Sequence, residues 1–277
     1  MEIVGREHCL DDCAVLPYGE EYLVATTDML HETTDFPKGM TDWQIGWMSS
    51  AVTMSDIASM GALPAFLLLA VGLDRWDRLR GIMQGAKDCC DRFGGTIVGG
   101  DIDRHAELTV VSTGLGTVER DRIVRRLGSQ PGDMICVTGT PGRAQAALDG
   151  YHAHELALFE PQPRVREGRT VGAAHVSAMM DVSDGIALSL YDLWEVNPYG
   201  YAIERRLLPF PDGVPEREAR EMALFGGGDY ELLFTCPEDR LPIAGVEHHV
   251  IGQVIPEHVV LVDGLPLEKR GYQHRWE

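Results

Sequence analysis

The sequence has little positive charge and no long apolar run. Its 277 residues include 24 lysines and arginines against 43 aspartates and glutamates, which gives a formal net charge of -19. A chain of that charge repels nucleic acid and anionic membrane surfaces, so neither is expected as a partner. The longest apolar run covers only residues 65–73, far short of the roughly 20 residues of a membrane-spanning helix. Residues 1–7 have neither the basic nor the apolar part of a secretory signal, so we expect a cytoplasmic protein.

The usual signatures of a zinc site or a nucleotide-binding loop are also missing. The six cysteines form no CxxC pair, and we expect them to be reduced thiols without a chemical role. The sequence contains no GxxxxGK(S/T) loop, no GxGxxG after a strand and no HRD or DFG set of a protein kinase. Nucleotide binding, where it occurs, must therefore use other residues.

Aspartate, in contrast, recurs beside small or hydroxyl residues. The five motifs are Asp11-Asp12, Thr26-Thr27-Asp28, Ser55-Asp56, Gly99-Gly100-Asp101 and Asp181-Val182-Ser183-Asp184-Gly185. Hard divalent cations prefer oxygen ligands, and Mg²⁺ is usually held by a few carboxylates together with water and substrate phosphates. A single Asp beside Ser or Gly is more often a helix cap or a turn residue, but five such motifs together favour a shared site. We therefore predict a magnesium-dependent phosphotransferase.

The pattern of apolar residues predicts an α/β (α+β) protein of two domains. Strand and helix patterns alternate in both halves, and a polar stretch followed by Pro131-Gly132-Asp133 separates them. The apolar residues 134–138 that follow are predicted to form a strand. We place the N-terminal domain at residues 1–125 and the C-terminal domain at residues 126–277. The boundary follows from composition alone.

The aspartate motifs fall near the ends of predicted elements. Thr41 and Gln44 form the pattern of a capping box for a helix that ends near Gly61, which places Ser55-Asp56 in its last turns. Thr26-Thr27-Asp28 is predicted at the end of a strand, and Gly99-Gly100-Asp101 directly after another. Ligands at strand ends are well placed to meet at one site.

Several other features have two interpretations each. The glycine-rich segments 139–143 and 226–229 fit either close approach of backbone, including phosphate contact, or an ordinary turn and a flexible loop. The arginines at 120–126 are either solvated surface or a source of one ATP contact. His31 is either a ligand or an ordinary loop residue. The aromatic residues among 272–276 form either a stacking lid or a disordered terminus.

Taken in order, these segments resemble the thiamine-monophosphate kinase family, from the superfamily that includes aminoimidazole ribonucleotide synthetase. The matching segments are residues 11–16, 26–30, 54–62, 97–101, 131–133, 180–185 and 227–232. The resemblance spans nearly the whole chain, and Gly-Gly-Asp-Tyr-Glu-Leu favours this kinase over its superfamily relatives. It implies an N-terminal domain with a mixed sheet and helices that dimerises, a C-terminal α/β domain, and ATP between them.

The resemblance also implies an activity and a set of site residues. The γ-phosphoryl group of ATP, the co-substrate, would be transferred to the phosphate of thiamine monophosphate by a homodimeric enzyme with several Mg²⁺ ions. Asp56 and Asp184 are expected to be essential for turnover. The implied metal ligands are Asp12, Thr26, Thr27, Asp28, Asp56, Asp101, Asp181 and Asp184. The implied ATP contacts are Gly100, Asp101, Arg126 and Ser183, and the implied acceptor contacts are Asp35, Gly228 and Trp276.

The acceptor positions are where this sequence departs from the family pattern. Asp35 stands before Phe36 where the family has His, and Gly228 replaces a Glu that would supply a substrate-binding carboxylate. Both changes concern the acceptor pocket more than the metal and ATP sites. Two other functions fit the same residues: another ATP-dependent enzyme of the superfamily, such as a cyclo-ligase of the aminoimidazole ribonucleotide synthetase type, or a non-enzymatic acidic cation-binding protein.

Overall fold

The computed structural model describes residue 5 and residues 10–273. Trp276, the residue expected to stack on the acceptor, lies outside the described residues. The described chain contains a five-stranded and a seven-stranded β-sheet. None of its helices is both long enough and apolar enough to cross a membrane.

The first sheet and two helices form the N-terminal part. The elements are β1 (Ala14–Tyr18), β2 (Glu21–His31), α1 (Asp42–Ser59), β3 (Leu63–Leu73), α2 (Leu79–Phe93), β4 (Thr96–Arg104) and β5 (Thr109–Glu119). The strand order is β1-β2-β5-β3-β4, with β3 and β4 parallel and the other neighbours antiparallel. Both helices pack on the sheet and enclose the largest hydrophobic cluster of this part.

The two faces of this sheet differ strongly. We call the face against α1 the inner face and the opposite one the outer face. Because side chains alternate along a strand, Val110 and Ser112 of β5 are buried on the inner face while Val111 and Thr113 are not fully buried. The outer face exposes the apolar side chains of Leu16, Tyr18, Met29, Leu63, Phe66 and Leu68. This exposed apolar face has no cover within the described chain.

The second sheet forms the C-terminal part. The elements are β6 (Met134–Thr138), α3 (Arg143–Leu148), α4 (Glu155–Phe159), α5 (Val165–Ala173), β7 (Ala178–Val182), α6 (Ile186–Val196), β8 (Gly200–Ile203), α7 (Glu216–Phe225), β9 (Glu231–Cys236), β10 (His248–Ile255), β11 (Val260–Val262) and β12 (Leu265–Pro266). The strand order is β12-β11-β8-β10-β6-β9-β7. Alternate residues of β6 and β9 enter two separate hydrophobic clusters, so both faces of the sheet are packed.

The two parts meet along α1. Its capping box forms as predicted, since Gln44 N donates to Thr41 Oγ1 and Thr41 N donates to Gln44 Oε1. Helix α5 approaches α1 so closely that a Cβ added to Gly168 would lie 2.1 Å from the carbonyl oxygen of Ala58. Only glycine permits that approach. The predicted boundary after residue 125 falls between the two sheets, and its exact position stays a prediction.

The sequence located most elements but misplaced two motifs. The strand Met134–Thr138 has the predicted bounds, while β1, α4, β8, α7, β11 and β12 were not predicted. Thr26–Asp28 was predicted at a strand end and instead lies in the middle of β2. The Gly99–Asp101 segment was predicted after a strand and instead lies within β4. Both strands are longer than their apolar cores, because ladder hydrogen bonds continue through residues of any polarity.

Candidate active site

Helix α1 carries hydroxyl and carboxyl groups into the interior. Most of its residues are buried, so these groups need hydrogen-bond partners within the protein. Three of its hydroxyls donate to aspartates from other segments. The pairs are Thr53 with Asp28 (2.6 Å), Ser55 with Asp181 (2.7 Å) and Ser59 with Asp12 (2.6 Å). The helix therefore gathers carboxylates from β2, from β7 and from the segment before β1.

Three carboxylates meet beside this helix. Asp12, Asp56 and Asp181 place carboxylate oxygens within 4.8 Å of one another. Thr26 Oγ1 donates to Asp56 at 2.6 Å, and Asp28 lies two residues further along the same face of β2. Four of the five predicted motifs thus converge, with members from both parts of the chain. An all-oxygen set of this kind suits a hard divalent cation.

The cluster is electrostatically costly in the absence of a cation. Burial raises the pKa of Asp56 well above its usual value, and the charges of Asp28, Asp181 and Asp12 raise it further. Burial and then Asp12 raise the pKa of Asp181 to about 8, although Ser55 and Arg126 act in the opposite direction. Burial also raises the pKa of Asp28, against the hydrogen bond from Thr53. A bound cation would reverse this trend by favouring the ionised carboxylates.

Two arginines hold the first aspartate motif. Arg126 donates to Asp12 through Nη2 and, at 3.0 Å, through Nε. Its Nη1 lies 3.7 Å from Asp192. Asp11 accepts from the backbone N of Arg126 at 2.9 Å and from Nη1 of Arg125 at 2.7 Å. Arg126, the predicted ATP contact, therefore lies next to the carboxylate cluster with its guanidinium partly exposed.

A cavity of about 580 Å³ adjoins the cluster. Asp28, Asp56, Asp181 and Asp184 line one end, which we call the acidic end. The remaining wall is mostly apolar and comes from both parts of the chain. It includes Leu30, Phe36, Pro37, Met48, Val52, Leu148, Leu158, Phe225 and Tyr230. The cavity is acidic at one end and mostly apolar along the rest of its wall. A ligand that combines a phosphate group with a flat apolar body fits this arrangement.

The two glycine-rich segments shape the cavity without offering a phosphate loop. Asp229 accepts from the backbone N of Gly142 at 2.5 Å and of Ala144 at 2.9 Å, at the start of α3. These amides are thus taken by a protein carboxylate, and segment 139–143 is an ordinary strand-to-helix turn. Burial raises the pKa of Asp229 to about 7 despite these donors. The glycines before Asp229 allow close backbone approach, since a Cβ on Gly227 would lie 2.7 Å from the carbonyl oxygen of Ser183.

The structure separates two predicted metal ligands, Thr27 and Asp101, and one predicted ATP contact, Gly100, from this cluster. Thr27 is exposed on the outer face, where its hydroxyl contacts Ser112 O and Thr113 Oγ1. Asp101 is exposed on the same face, and its Oδ1 accepts from Ile102 N at 3.0 Å. Gly100 precedes it on β4. Within a single chain the sheet lies between these residues and the acidic end, so their predicted roles stay predictions.

Two of the three predicted acceptor residues, Asp35 and Gly228, line the cavity. Asp35 accepts from His31 N at 2.8 Å and from Thr34 Oγ1 at 2.7 Å. Gly228 lies across from it in the C-terminal part, with a φ of +87°. Tyr272 bridges the two parts, because its N donates to Asp184 O at 3.1 Å and its hydroxyl to Thr34 O at 3.4 Å. The C-terminal segment thus lies along the cavity as far as it is described.

The sequence did not identify the residues that hold the carboxylates. Thr53 and Ser59 donate to Asp28 and Asp12, and neither was predicted to have a role. A signal was present, because hydroxyl residues recur along a helix whose other positions are apolar. Buried hydroxyls on such a helix require acceptors, but sequence does not say which. Tyr230, which lines the cavity, was also missed.

Comparison with known proteins identifies the fold and the family. Residues 10–118 match the family model for AIR synthase related protein, N-terminal domain. A structure of AaThiL complexed with AMPPCP and TMP has a TM-score of 0.92 at 27% identity, covering 99% of this chain and 94% of that chain. The α/β fold of mixed sheets and helices is therefore shared with AIR synthase related proteins.

Two curated relatives match over nearly their whole length. Thiamine-monophosphate kinase from Methanospirillum hungatei is 49% identical over 274 residues, covering 99% of this chain and 96% of the relative. Thiamine-monophosphate kinase from Halobacterium salinarum is 38% identical over 289 residues, covering 99% and 98%. The chain therefore belongs to the thiamine-monophosphate kinase family.

Proposed function

We propose that the protein transfers the γ-phosphoryl group of ATP to the phosphate of thiamine monophosphate, forming thiamine diphosphate and ADP. The observation that carries this proposal is the acidic end of the cavity, where Asp56 and Asp181 line the wall and also form a cluster with Asp12, next to an otherwise mostly apolar wall. A phosphate ester with aromatic rings matches both ends. The named relatives and the AaThiL complex with AMPPCP and TMP support the same substrates.

The carboxylate cluster fits the several Mg²⁺ ions that such a reaction uses. Its donors are all oxygens from carboxylates and hydroxyls, which magnesium prefers. Asp12, Thr26, Asp28, Asp56, Asp181 and Asp184 would hold the ions. When bound, magnesium supplies positive charge that neutralises the phosphates of both substrates. The raised pKa values of Asp56 and Asp181 are consistent with a cluster that needs such a charge to stay ionised.

The chain needs no general base for this transfer. The second pKa of a phosphate monoester is near 6, so the acceptor oxygen is already largely ionised at neutral pH. It attacks the γ-phosphorus and the bond to the ADP oxygen breaks, so no proton has to be removed. Asp56 and Asp184 are thus proposed to act through charge and position, and Arg126 and Ser183 to hold ATP.

The apolar wall is proposed to take the rings of the acceptor. Phe36, Met48 and Leu158 offer flat or flexible apolar surface. The thiazolium ring carries a positive charge, and the Asp35 carboxylate in the same wall is suited to balance it. The Asp35 carboxylate would then replace the Glu carboxylate of the family, which is missing here because residue 228 is glycine.

A homodimer through the outer face is part of the proposal. Six apolar side chains are exposed there, and a contiguous patch of that kind commonly marks an interface. Asp101 lies on β4 at this face, and Gly100 precedes it in the same strand. A dimer is therefore the arrangement in which they could contact ATP held by the other copy. Because ATP is the co-substrate, we place the enzyme in the cytoplasm.

The test is an assay for the product. Purified protein is incubated with ATP, MgCl₂ and thiamine monophosphate, and thiamine diphosphate is measured by chromatography. We expect product with this acceptor and none with thiamine. Asp91→Asn, at an exposed ion pair with Lys87, serves as a matched control for substitutions in the cluster and should retain full activity. ADP release without thiamine diphosphate, or no turnover with this acceptor, would reject the proposed function.

A further inference from the structure

Tyr230 has an unusual backbone conformation at the edge of the cavity. Its φ is +53°, in the left-handed region that bulky side chains rarely adopt. The neighbouring chain holds it there, since Tyr230 N donates to Val182 O at 3.0 Å and Gly228 N donates to Ser183 O at 2.7 Å. Such strained residues are found preferentially at functional sites, where the fold over-determines them. The conformation of Tyr230 therefore indicates a functional role for this residue in addition to packing.

The side chain of Tyr230 crosses from one part of the protein to the other. Its backbone immediately precedes β9 in the C-terminal part, while its ring packs against the hydrophobic cluster of the N-terminal part. It lines the cavity, as do Asp181 and Asp184 of the acidic end and Phe36 of the apolar wall. The ring thus lies at the junction between the acidic end and the apolar wall.

The hydroxyl of Tyr230 has no hydrogen-bond partner among the described residues, in contrast to the hydroxyls of Tyr201 and Tyr151, which contact Ser129 and Glu218. The ordinary pKa of a tyrosine phenol is near 10, so the group keeps its proton at neutral pH. A phenol that keeps its proton and faces a cavity is a hydrogen-bond donor for a ligand.

We propose that Tyr230 positions the acceptor by donating a hydrogen bond to an oxygen of its phosphate group. The inference rests on the proposed function, which puts a phosphate ester in this cavity. At the junction of the two ends, the hydroxyl meets the point where the apolar body of the acceptor is joined to its phosphate. A neutral donor there orients the acceptor phosphate, and it adds no further negative charge to a site already crowded with carboxylates.

The test combines removal of the hydroxyl with removal of the phosphate. Tyr230→Phe keeps the ring and its packing and removes only the donor. Dissociation constants of thiamine monophosphate and thiamine are measured by calorimetry with MgCl₂ and the β,γ-methylene analogue of ATP, for wild type and variant. We expect about tenfold weaker binding of the phosphate ester by the variant and less than about twofold for thiamine. In turnover, the KM for the acceptor should rise while the KM for ATP stays constant.

The matched control is Tyr151→Phe, which removes a hydroxyl that contacts Glu218 away from the cavity, and it should leave both constants unchanged. Equal weakening of the two ligands, no weakening, or a raised KM for ATP alone would overturn the role of Tyr230. Because both ligands are measured on one preparation, partial misfolding does not alter their ratio. Wild type that forms no thiamine diphosphate rejects the proposed function as well, whereas active wild type with an unchanged ratio rejects only Tyr230.

Discussion

The two faces of the five-stranded sheet give adjacent residues of one motif opposite surroundings. Thr26 and Thr27 are neighbours in β2. The Thr26 hydroxyl donates to Asp56 of α1, whereas Thr27 is exposed on the outer face. Two predicted metal ligands show the same contrast between faces: Asp28 lies on the inner face and Asp101 on the outer face. The inner face has a buried helix with hydroxyl donors against it, whereas the outer face has an apolar surface without cover in the described chain.

The difference between the two faces shows which groups allow several carboxylates to lie close together. Carboxylates alone repel one another, by roughly 4 kcal/mol for a pair 4 Å apart at an effective dielectric near 20. On the inner face, α1 offsets part of that repulsion with hydrogen bonds from Thr53, Ser55 and Ser59. The outer face offers its aspartate no such donors from a helix. We therefore expect the metal site to form next to the inner face, with carboxylates from both parts of one chain, and the outer face to contribute only through a second copy.

The largest effect is expected from the centre of the inner face. Asp56→Asn removes one charge from the cluster and leaves its volume unchanged, so kcat should fall about 10³-fold or more. Asp184→Asn should behave similarly. The melting temperature of the metal-free protein should not fall, because the substitution relieves repulsion. Near-normal kcat for both variants would contradict the proposed roles, and Asp91→Asn controls for the loss of one surface charge.

A smaller loss is expected from the outer face. Asp101→Asn should lower kcat/KM for ATP about tenfold, because an exposed carboxylate acts only at an interface between copies. Mixing the Asp56→Asn and Asp101→Asn variants, with subunit exchange, should then raise activity above the average of the two variants measured separately, since a mixed dimer holds one site with neither substitution. Light scattering measures the dimer in parallel. Full activity of Asp101→Asn would show that the outer face has no part in the reaction.

The pH dependence of stability separates the faces in a different way. The pKa of Asp181 is about 8 in the folded chain and near 3.9 in an unfolded one. The folded state therefore holds the extra proton between these values, and the stability present below about pH 4 is lost as pH rises to about 8. We expect the melting temperature of metal-free protein to fall by several degrees from pH 5 to pH 8.5.

Two comparisons check the origin of that fall. Asp181→Asn should show a flatter curve of melting temperature against pH, whereas Asp101→Asn should follow the wild type. Saturating MgCl₂ should raise the melting temperature more at pH 8 than at pH 5, because magnesium competes with protons for the same carboxylates. Identical curves for wild type and Asp181→Asn would contradict the assignment.

The smallest effect comes from the pair of neighbouring threonines. Thr26→Val removes the donor to the buried Asp56 and should lower the free energy of unfolding by about 1–3 kcal/mol. Thr27→Val removes a hydroxyl that faces solvent and should cost less than about 1 kcal/mol. Urea titrations of both variants measure the difference. Equal costs would mean that the two faces are not distinguished by burial as the structure indicates.

Much of the fold was predictable because the signals are local. The capping box of Thr41 and Gln44, the glycine at 61 and the apolar strand at 134–138 each depend on a few neighbouring residues. Strand ends were less predictable, since β2 and β4 continue through polar residues as long as their neighbours pair with them. The conformation and role of Tyr230 were not predicted, because its φ is imposed by contacts with residues about 50 positions away.

The amino-acid sequence was sufficient to indicate the chemistry of this protein: carboxylates recur in ordered motifs, the usual nucleotide-loop patterns are absent, and the resemblance spans nearly the whole chain. Those properties depend on residue types and their order. Which carboxylates meet depends on the three-dimensional fold. The two-residue period of a strand places neighbouring side chains on opposite faces of the sheet, and the buried helix α1 packs against only one of these faces. Asp12, Asp56 and Asp181 converge for that reason, and Thr27 and Asp101 do not.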